Sequence, residues 1–372
     1  MLTHFSVKNF RNFNDWTHFD LTSDKKYAFN ENAVINGIIK HAVIYGENGQ
    51  GKTNLGIAMC ELTTHLCANP RDNLITQGNN TNADNDSQLS EFIHQFELNQ
   101  QKVHYHYGKN NHQKIVFEQL KINDEIILHW DKTTKNRATI NLEGAETLNT
   151  DLSNNISSIV LYVNNNTNLK DTATNNIFVA FIEFVQAMVY FRSINRANMY
   201  VGSKPIGYKD IHQQIIEHTG INKFQRFLNE HGIKCQLAVY EGINGKEMVF
   251  VHNNRKLPFD TIASSGTFEL TILFCWLQRI NEGTVSFAFI DEFDAFYHHN
   301  LAKQITKLTA NLNAQTILST HNTSIMTNDM LRPDCYFEIK AGQIKPLYDL
   351  TDRELRKAHN LEKLYRAGAF NE

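Results

Sequence analysis

Eight consecutive residues, Gly46-Glu47-Asn48-Gly49-Gln50-Gly51-Lys52-Thr53, have the types and spacing needed to grip a nucleotide polyphosphate. Glycines let backbone N–H groups curl around phosphate oxygens with no Cβ in the way. Lys52 would reach the β and γ oxygens, and the Thr53 hydroxyl would bind Mg²⁺. A second constellation lies near the other end of the chain. The apolar run Val285 to Ile290 ends in Asp291-Glu292. An acidic pair at the tip of a buried strand suits a metal held beside a phosphate loop, with Asp291 in the metal shell. Glu292 would orient or deprotonate a water for attack on the γ-phosphate. Taken alone, such a pair also occurs at ordinary solvent-facing strand ends.

Two neighbours sharpen the reading. Ala263-Ser264-Ser265-Gly266-Thr267 places Ser264 27 residues before Asp291, and Thr316 to His321 ends in a histidine 30 residues after it. Each fragment is commonplace: Ser-Ser-Gly is usually a turn, and a lone histidine is usually structural. Their order and spacing are specific.

The elements that must position these residues can be read from periodicity. Ala42-Val43-Ile44-Tyr45 is a short apolar strand running into Gly46. Leu55, Met59, Leu62 and Leu66 recur with helical spacing, which predicts one amphipathic helix after the loop, stopped at Asn69-Pro70. Thr3 to Phe13 alternates as a strand. Glu91 to Trp130 alternates in short runs punctuated by turn residues, which predicts an antiparallel meander. The stretch 177–231 reads mostly helical, with Ile177 to Phe191 as a buried helix. Asn-rich patches at Asn154-Asn155, Asn164 to Asn166 and Asn175-Asn176 read as loops. Phe268 to Ile280 reads as a helix leading from the serine-glycine fragment, and Leu301, Ile305, Leu308 and Leu312 mark another.

Composition excludes several classes. The 372 residues are 41% hydrophobic and 20% charged, with 36 basic and 39 acidic side chains and a net charge of -3. A sizeable core follows, and a polybasic nucleic-acid binder does not. The 5 cysteines are scattered without CxxC spacing, which argues against a disulfide scaffold or zinc site and fits a reducing cytoplasm. Lys8 and Arg11 interrupt the apolar opening, so no secretory signal is expected. The most apolar run, Ile177 to Phe191, spans about 22 Å as a helix, short of the ~30 Å of a bilayer core. A soluble, cytoplasmic chain without a membrane role is expected.

In this order, the phosphate loop, serine-glycine fragment, Asp-Glu strand and Ser-Thr-His strand resemble the ABC-type ATPase head. The long insertion between Lys52 and Ser264, and the opening Asn9-Phe10-Arg11-Asn12-Phe13, resemble its SMC and RecF-like branch rather than transporter subunits. Gly49 to Leu55, including Asn54, is close to the RecF phosphate loop. Thr320-His321-Asn322 and the tail Leu355 to Tyr365 look more like stand-alone AAA-type ATPases of prokaryotic phage-defence and abortive-infection operons, relatives of the OLD ATPases.

The resemblance implies an α/β P-loop NTPase of ABC-ATPase type: a mixed sheet with central helices, an antiparallel β meander and a helical insertion. It implies an ATPase head in two parts, 1–170 and 234–372, around an insertion lobe at 171–233. ATP and Mg²⁺ are the implied cofactors. Ser264, Ser265 and Gly266 would form a signature contacting ATP on the opposite protomer of a homodimer. His321 would be the switch histidine at the γ-phosphate, and Asp294 would sit in a loop crossing the dimer seam. Arg11 would touch phosphate or simply cover the lobe edge. The family's Q-loop glutamine has two weak candidates, Gln77 and Gln95.

The implied function is an ATP-driven switch controlling a separately encoded effector, for instance a Toprim-like nuclease. A RecF-like DNA-repair clamp and a nucleotide-sensing scaffold with little turnover are the alternatives, so a nucleic-acid partner stays open. Only 51 residues follow His321, too few for the nuclease domain of OLD-type relatives. The chain is therefore expected to hydrolyse ATP without cutting DNA or RNA.

Overall fold

A computed structural model describes residues 1–67, 78–134, 137–152, 156–194, 197–202, 208–242 and 245–370. The chain opens with β1 (Leu2–Lys8), which buries Leu2, Phe5 and Val7, and continues into β2 (Thr17–Asp20). A small ribbon, β3 (Val34–Ile35) and β4 (Ile38–Ile39), leads to β5 (His41–Tyr45), which is buried throughout. After the glycine-rich loop come α1 (Lys52–Cys60) and α2 (Thr63–Leu66), so the single helix expected through Leu66 is broken. The Thr63 hydroxyl takes the Cys60 carbonyl at 2.8 Å, and the Thr64 amide turns to the Glu61 carbonyl three residues back. Side-chain competition of this kind interrupts the i to i−4 ladder. The expected stop at Asn69-Pro70 lies outside the described residues.

The meander is present as β6 (Leu89–Leu98), β7 (Gln101–Asn110), β8 (Ile115–Ile122), β9 (Glu125–Asp131) and β10 (Thr139–Ile140). Alternate residues of β6 (Ser90, Phe92, His94, Phe96, Leu98) face the core. β1 and β2 extend the same antiparallel sheet in the order β10-β9-β8-β7-β6-β1-β2. Next come α3 (Ile159–Asn166) and α4 (Ala173–Gln186), whose Phe181 and Phe184 pack on Phe96. Two of the expected asparagine loops are helix ends instead. Asn164 to Asn166 close α3, and Asn175 is buried in the first turn of α4, donating to the Glu143 and Lys170 carbonyls at 2.8 Å each. Asn154-Asn155 lie outside the described residues.

The helical reading of 177–231 needs a larger correction. α4 stops at Gln186, and β11 (Met188–Ile194) and β12 (Ala197–Gly202) follow. Met188 to Phe191 is a continuous apolar run, and a strand buried on both faces has no periodicity to separate it from a helix. Then come α5 (Tyr208–Gln214), α6 (Ile221–Glu230), a small sheet of β13 (Leu237–Gly242), β14 (Gly245–His252) and β15 (Arg255–Pro258), and α7 (Phe259–Ile262). The long α8 (Ser265–Asn281), β16 (Phe287–Asp291), α9 (His299–Thr309), β17 (Gln315–Thr320), β18 (Tyr336–Lys340), β19 (Gln343–Pro346) and α10 (Leu361–Arg366) complete the order.

The second large sheet runs β12-β11-β16-β17-β5-β18-β19. Its inner strands are parallel, and antiparallel β12 and β19 close the edges. Helices cover both faces. Gly56 of α1 meets Tyr190 and Phe289 on one side, and Phe191 stacks on Trp276 of α8 on the other, ring centroids 4.9 Å apart. Parallel strands end on one edge, where ligands of open α/β sheets bind. Here Tyr45 pairs with Thr320, and Asp291 with Arg192. No helix among the described residues is long and apolar enough to cross a membrane.

Candidate functional site

β5 delivers the glycine-rich loop at its carboxyl end. A Cβ on Gly46 would stand 2.8 Å from the Ile339 carbonyl oxygen, so only glycine fits between β5 and β18. Gly51 has φ 103°, a left-handed conformation that starts α1. Glu47, Asn48 and Gly49 form the exposed lip of the loop. Gln50 Oε1 accepts from the Ala341 amide at 2.9 Å and ties that lip to the β18–β19 turn.

Lys52 folds back into the loop. Its Nζ donates to the carbonyls of Gly46 (2.6 Å) and Glu47 (3.1 Å) and to His321 Nδ1 (3.2 Å). Because an ammonium can only donate, His321 accepts at Nδ1 and carries its proton on Nε2. That nitrogen is 3.8 Å from Glu292 Oε1. Burial draws the Lys52 ammonium below its usual value, while Asp291 and Glu292 oppose the shift.

Asp291 is 1% exposed and fully satisfied. Thr53 Oγ1 donates to its Oδ2 at 2.7 Å, the Tyr190 hydroxyl to the same oxygen at 3.0 Å, and Ser319 Oγ to Oδ1 at 2.5 Å. Burial and the Asp291 charge push the Tyr190 phenol well above its ordinary value, so it stays a donor. Thr53 and Asp291 place hard oxygens at the base of the loop, the ligand type that could hold a hard cation such as Mg²⁺.

Glu292 has φ 46°, costly for a residue with a Cβ. The turn swings its carboxylate out of the strand, while its amide donates to Ser319 Oγ at 2.9 Å. Asp294 is buried, accepts from Thr320 Oγ1 at 2.6 Å, and burial raises its carboxyl above the usual range. A cleft of about 550 Å³ opens beside these groups, lined by Asn48, Glu292, Asp294, His321, Asn322 and Arg366 among others. That is room enough for a nucleotide-sized ligand.

The structure thus brings Gly46 to Asn54, Asp291, Glu292 and His321 into one place. Asn54 reaches Asn12 Oδ1 at 2.6 Å and accepts from Arg11 Nη1 at 3.1 Å, which sets Arg11 against the first turn of α1. The serine-glycine residues stand apart. Ser264 caps α8, accepting from the Thr267 amide at 3.2 Å, and Ser264 and Ser265 are exposed. Gly266 packs against the loop after Glu292, where a Cβ would stand 3.2 Å from the Phe296 carbonyl. None of the three lines the cleft.

Gln95 sits in β6 of the meander, paired with His104 and His4, and Gln77 lies outside the described residues. The strand position beside Asp291 belongs instead to Arg192, which ion-pairs with Glu292. Sequence reasoning missed Arg192, Tyr190 and Ser319. The first two were hidden by the helical reading of their strand. Ser319 stands inside Ser-Thr-His but had no assigned partner.

Residues 42–327 match the family described as "AAA domain, putative AbiEii toxin, Type IV TA system". The chain belongs to this AAA family. Membership bears out the resemblance to the AAA-type ATPases of abortive-infection systems and the α/β P-loop fold. No curated protein matches the chain. Among solved structures, this AAA protein is similar to an SMC head bound to the C-terminal winged-helix domain of ScpA. That pair has a TM-score of 0.49 and 13% identity, covering 94% of this chain and 98% of that one. It is also similar to the SMC head domain from Thermotoga maritima, with a TM-score of 0.43, 14% identity and coverage of 93% and 98%. For an SMC head with an extended coiled coil, bound to the C-terminal domain of ScpA from Pyrococcus furiosus, the values are 0.47, 11%, 92% and 95%.

Proposed function

We propose that this AAA protein binds and hydrolyses ATP with Mg²⁺ and uses the cycle to switch a separate effector in prokaryotic anti-phage defence. The observation that carries the ATPase reading is the convergence of Lys52, Thr53, Asp291, Glu292 and His321 at the adjacent carboxyl ends of the parallel inner strands of one sheet. The amides of the loop and the N-terminus of α1 would cradle phosphate oxygens, and Lys52 would exchange its loop carbonyls for them. Thr53 and Asp291 would hold Mg²⁺, which when bound neutralises charge developing on the phosphates. Glu292 would take the proton of the attacking water, and His321 Nε2–H would face the γ-phosphate.

The family description and the resemblance to abortive-infection ATPases support the defence role. The exposed signature supports a homodimer in which Ser264, Ser265 and Gly266 close ATP held by the partner.

Turnover of ATP by the purified full chain tests the reading. Glu292→Gln should bind ATP and lose about 10²–10⁴-fold in rate, the usual contribution of a positioned base. Lys52→Ala should lose binding itself. A wild-type rate in Glu292→Gln would remove it as the base.

A further inference from the structure

Arg192 engages three residues of the phosphate site at once. One terminal nitrogen pairs with the Glu292 carboxylate. Nη1 lies 3.5 Å from Thr53 Oγ1, and Nε lies 3.6 Å from Asp291 Oδ2. The hydroxyl of Thr53 gives its proton to Asp291, so the lone pair turned to Arg192 is the one a metal would use. Nε is buried and has no hydrogen-bond acceptor among the described residues. Charge, rather than a filled set of hydrogen bonds, therefore holds the guanidinium over Asp291.

We propose that Arg192 is a positioning residue that takes the cation place of the phosphate site and latches Glu292 until nucleotide and divalent metal displace it. The inference rests on the ATPase reading above. A guanidinium and a divalent cation repel each other and compete for the same two oxygens, Thr53 Oγ1 and Asp291 Oδ2. A carboxylate engaged by a guanidinium is also a poor acceptor for a water proton. With Arg192 inward, the site holds its acidic pair without a metal and keeps its base occupied. Its outward movement admits the metal and frees Glu292 in one step, so hydrolysis begins only on a fully loaded site. The side chain can make that move, being 21% exposed near the carboxyl end of β11.

Mn²⁺ is the probe, titrated into the nucleotide-free full chain and followed by the paramagnetic resonance of the free ion. Arg192→Ala should bind Mn²⁺ about tenfold tighter than wild type or better, the scale of one charge removed at contact distance. Arg192→Lys, which keeps the charge, should stay near wild type. Adding Asp291→Asn to Arg192→Ala should erase the gain. Equal Mn²⁺ affinity in folded wild type and Arg192→Ala overturns the proposal. Should the alanine variant not fold, Arg192→Met keeps the apolar stem and answers the same question. A fluorescent ATP analogue separates the two readings. Binding of the analogue with unchanged Mn²⁺ affinity removes only the latch, whereas no binding to either protein removes the ATPase reading.

Discussion

Ser319 links the Asp291 carboxylate to the backbone of Glu292, donating to Asp291 and accepting from the Glu292 amide. Tyr190 supplies Asp291 with a second donor from the other neighbouring strand. These two hydroxyls differ in what their loss leaves behind. Ser319→Ala leaves a buried carboxylate oxygen and a strained residue's amide without partners, at a cost of about 1–3 kcal/mol. Tyr190→Phe removes one of two donors to an oxygen still served by Thr53, at a cost of about 0.5–1.5 kcal/mol. Urea unfolding of both variants should rank them in that order, and ATP turnover should fall further in Ser319→Ala because Glu292 loses its anchor. A larger loss in Tyr190→Phe would show that the strand turn at Glu292 holds itself.

The elements around the site are tied by a buried polar chain. Glu61, just after α1, accepts from the Tyr107 hydroxyl at 2.7 Å and ion-pairs with Lys109, both on β7. Glu118 on β8 accepts from Tyr105 (2.7 Å), Ser158 (2.6 Å) and the Ile159 amide (2.8 Å), which caps α3. The helix leaving the phosphate loop is thus bolted to the meander by charges that water does not reach. Lys109→Ala would strand Glu61 in the core, and urea unfolding should show a loss of about 3–5 kcal/mol.

Acid should also loosen these elements. Burial holds His41 and His94 down to about 3, and His65 well below its usual value, so all three are neutral in the fold. Unfolded, each takes up a proton below about pH 6.5. The contribution of His41 and His94 is therefore intact above that pH and lost as pH falls toward about 3, at about 1.4 kcal/mol per pH unit for each, and His65 acts in the same direction. The urea midpoint should drop between pH 7 and pH 5, and less steeply in His94→Gln. An unchanged midpoint would show that these histidines are charged in the fold.

For the whole molecule, the proposed homodimer turns on the exposed serine-glycine segment. Ile262 and Phe296 beside it are 52% and 45% exposed, apolar surface next to polar Ser264 and Ser265. Mixing a Lys52→Ala chain with a Ser264→Arg chain should restore ATP turnover that each lacks alone, because one composite site in the heterodimer is intact. Confirmed mixing without recovery would count against completion in trans. The effector is proposed as a separate protein, so plasmid and tRNA incubated with the chain, ATP and Mg²⁺ or Mn²⁺ should stay whole. Cleavage that disappears in a carboxylate variant outside the ATP site would place a nuclease in this chain.

Local chemistry made the phosphate loop, the Asp-Glu strand and the Ser-Thr-His strand legible in the sequence. Each is a short run whose function depends on residue type and immediate spacing, and β5, β16 and β17 carry them as expected. The meander was legible for the same reason, since a sheet with one buried face alternates. What joins these runs was not legible. Strand β11 shows an unbroken apolar run that a helix could also bear, and only its pairing with β16 puts Arg192 opposite Asp291. Ser319 and Tyr190 acquire roles only once neighbouring strands bring their hydroxyls to one carboxylate. Residue types declare which chemistry is available. Parallel pairing between strands far apart in the chain, such as the 275 residues that separate His41 from Thr316, decides which groups meet. Sequence alone is blind to that register because it depends on contacts made only when the sheet closes.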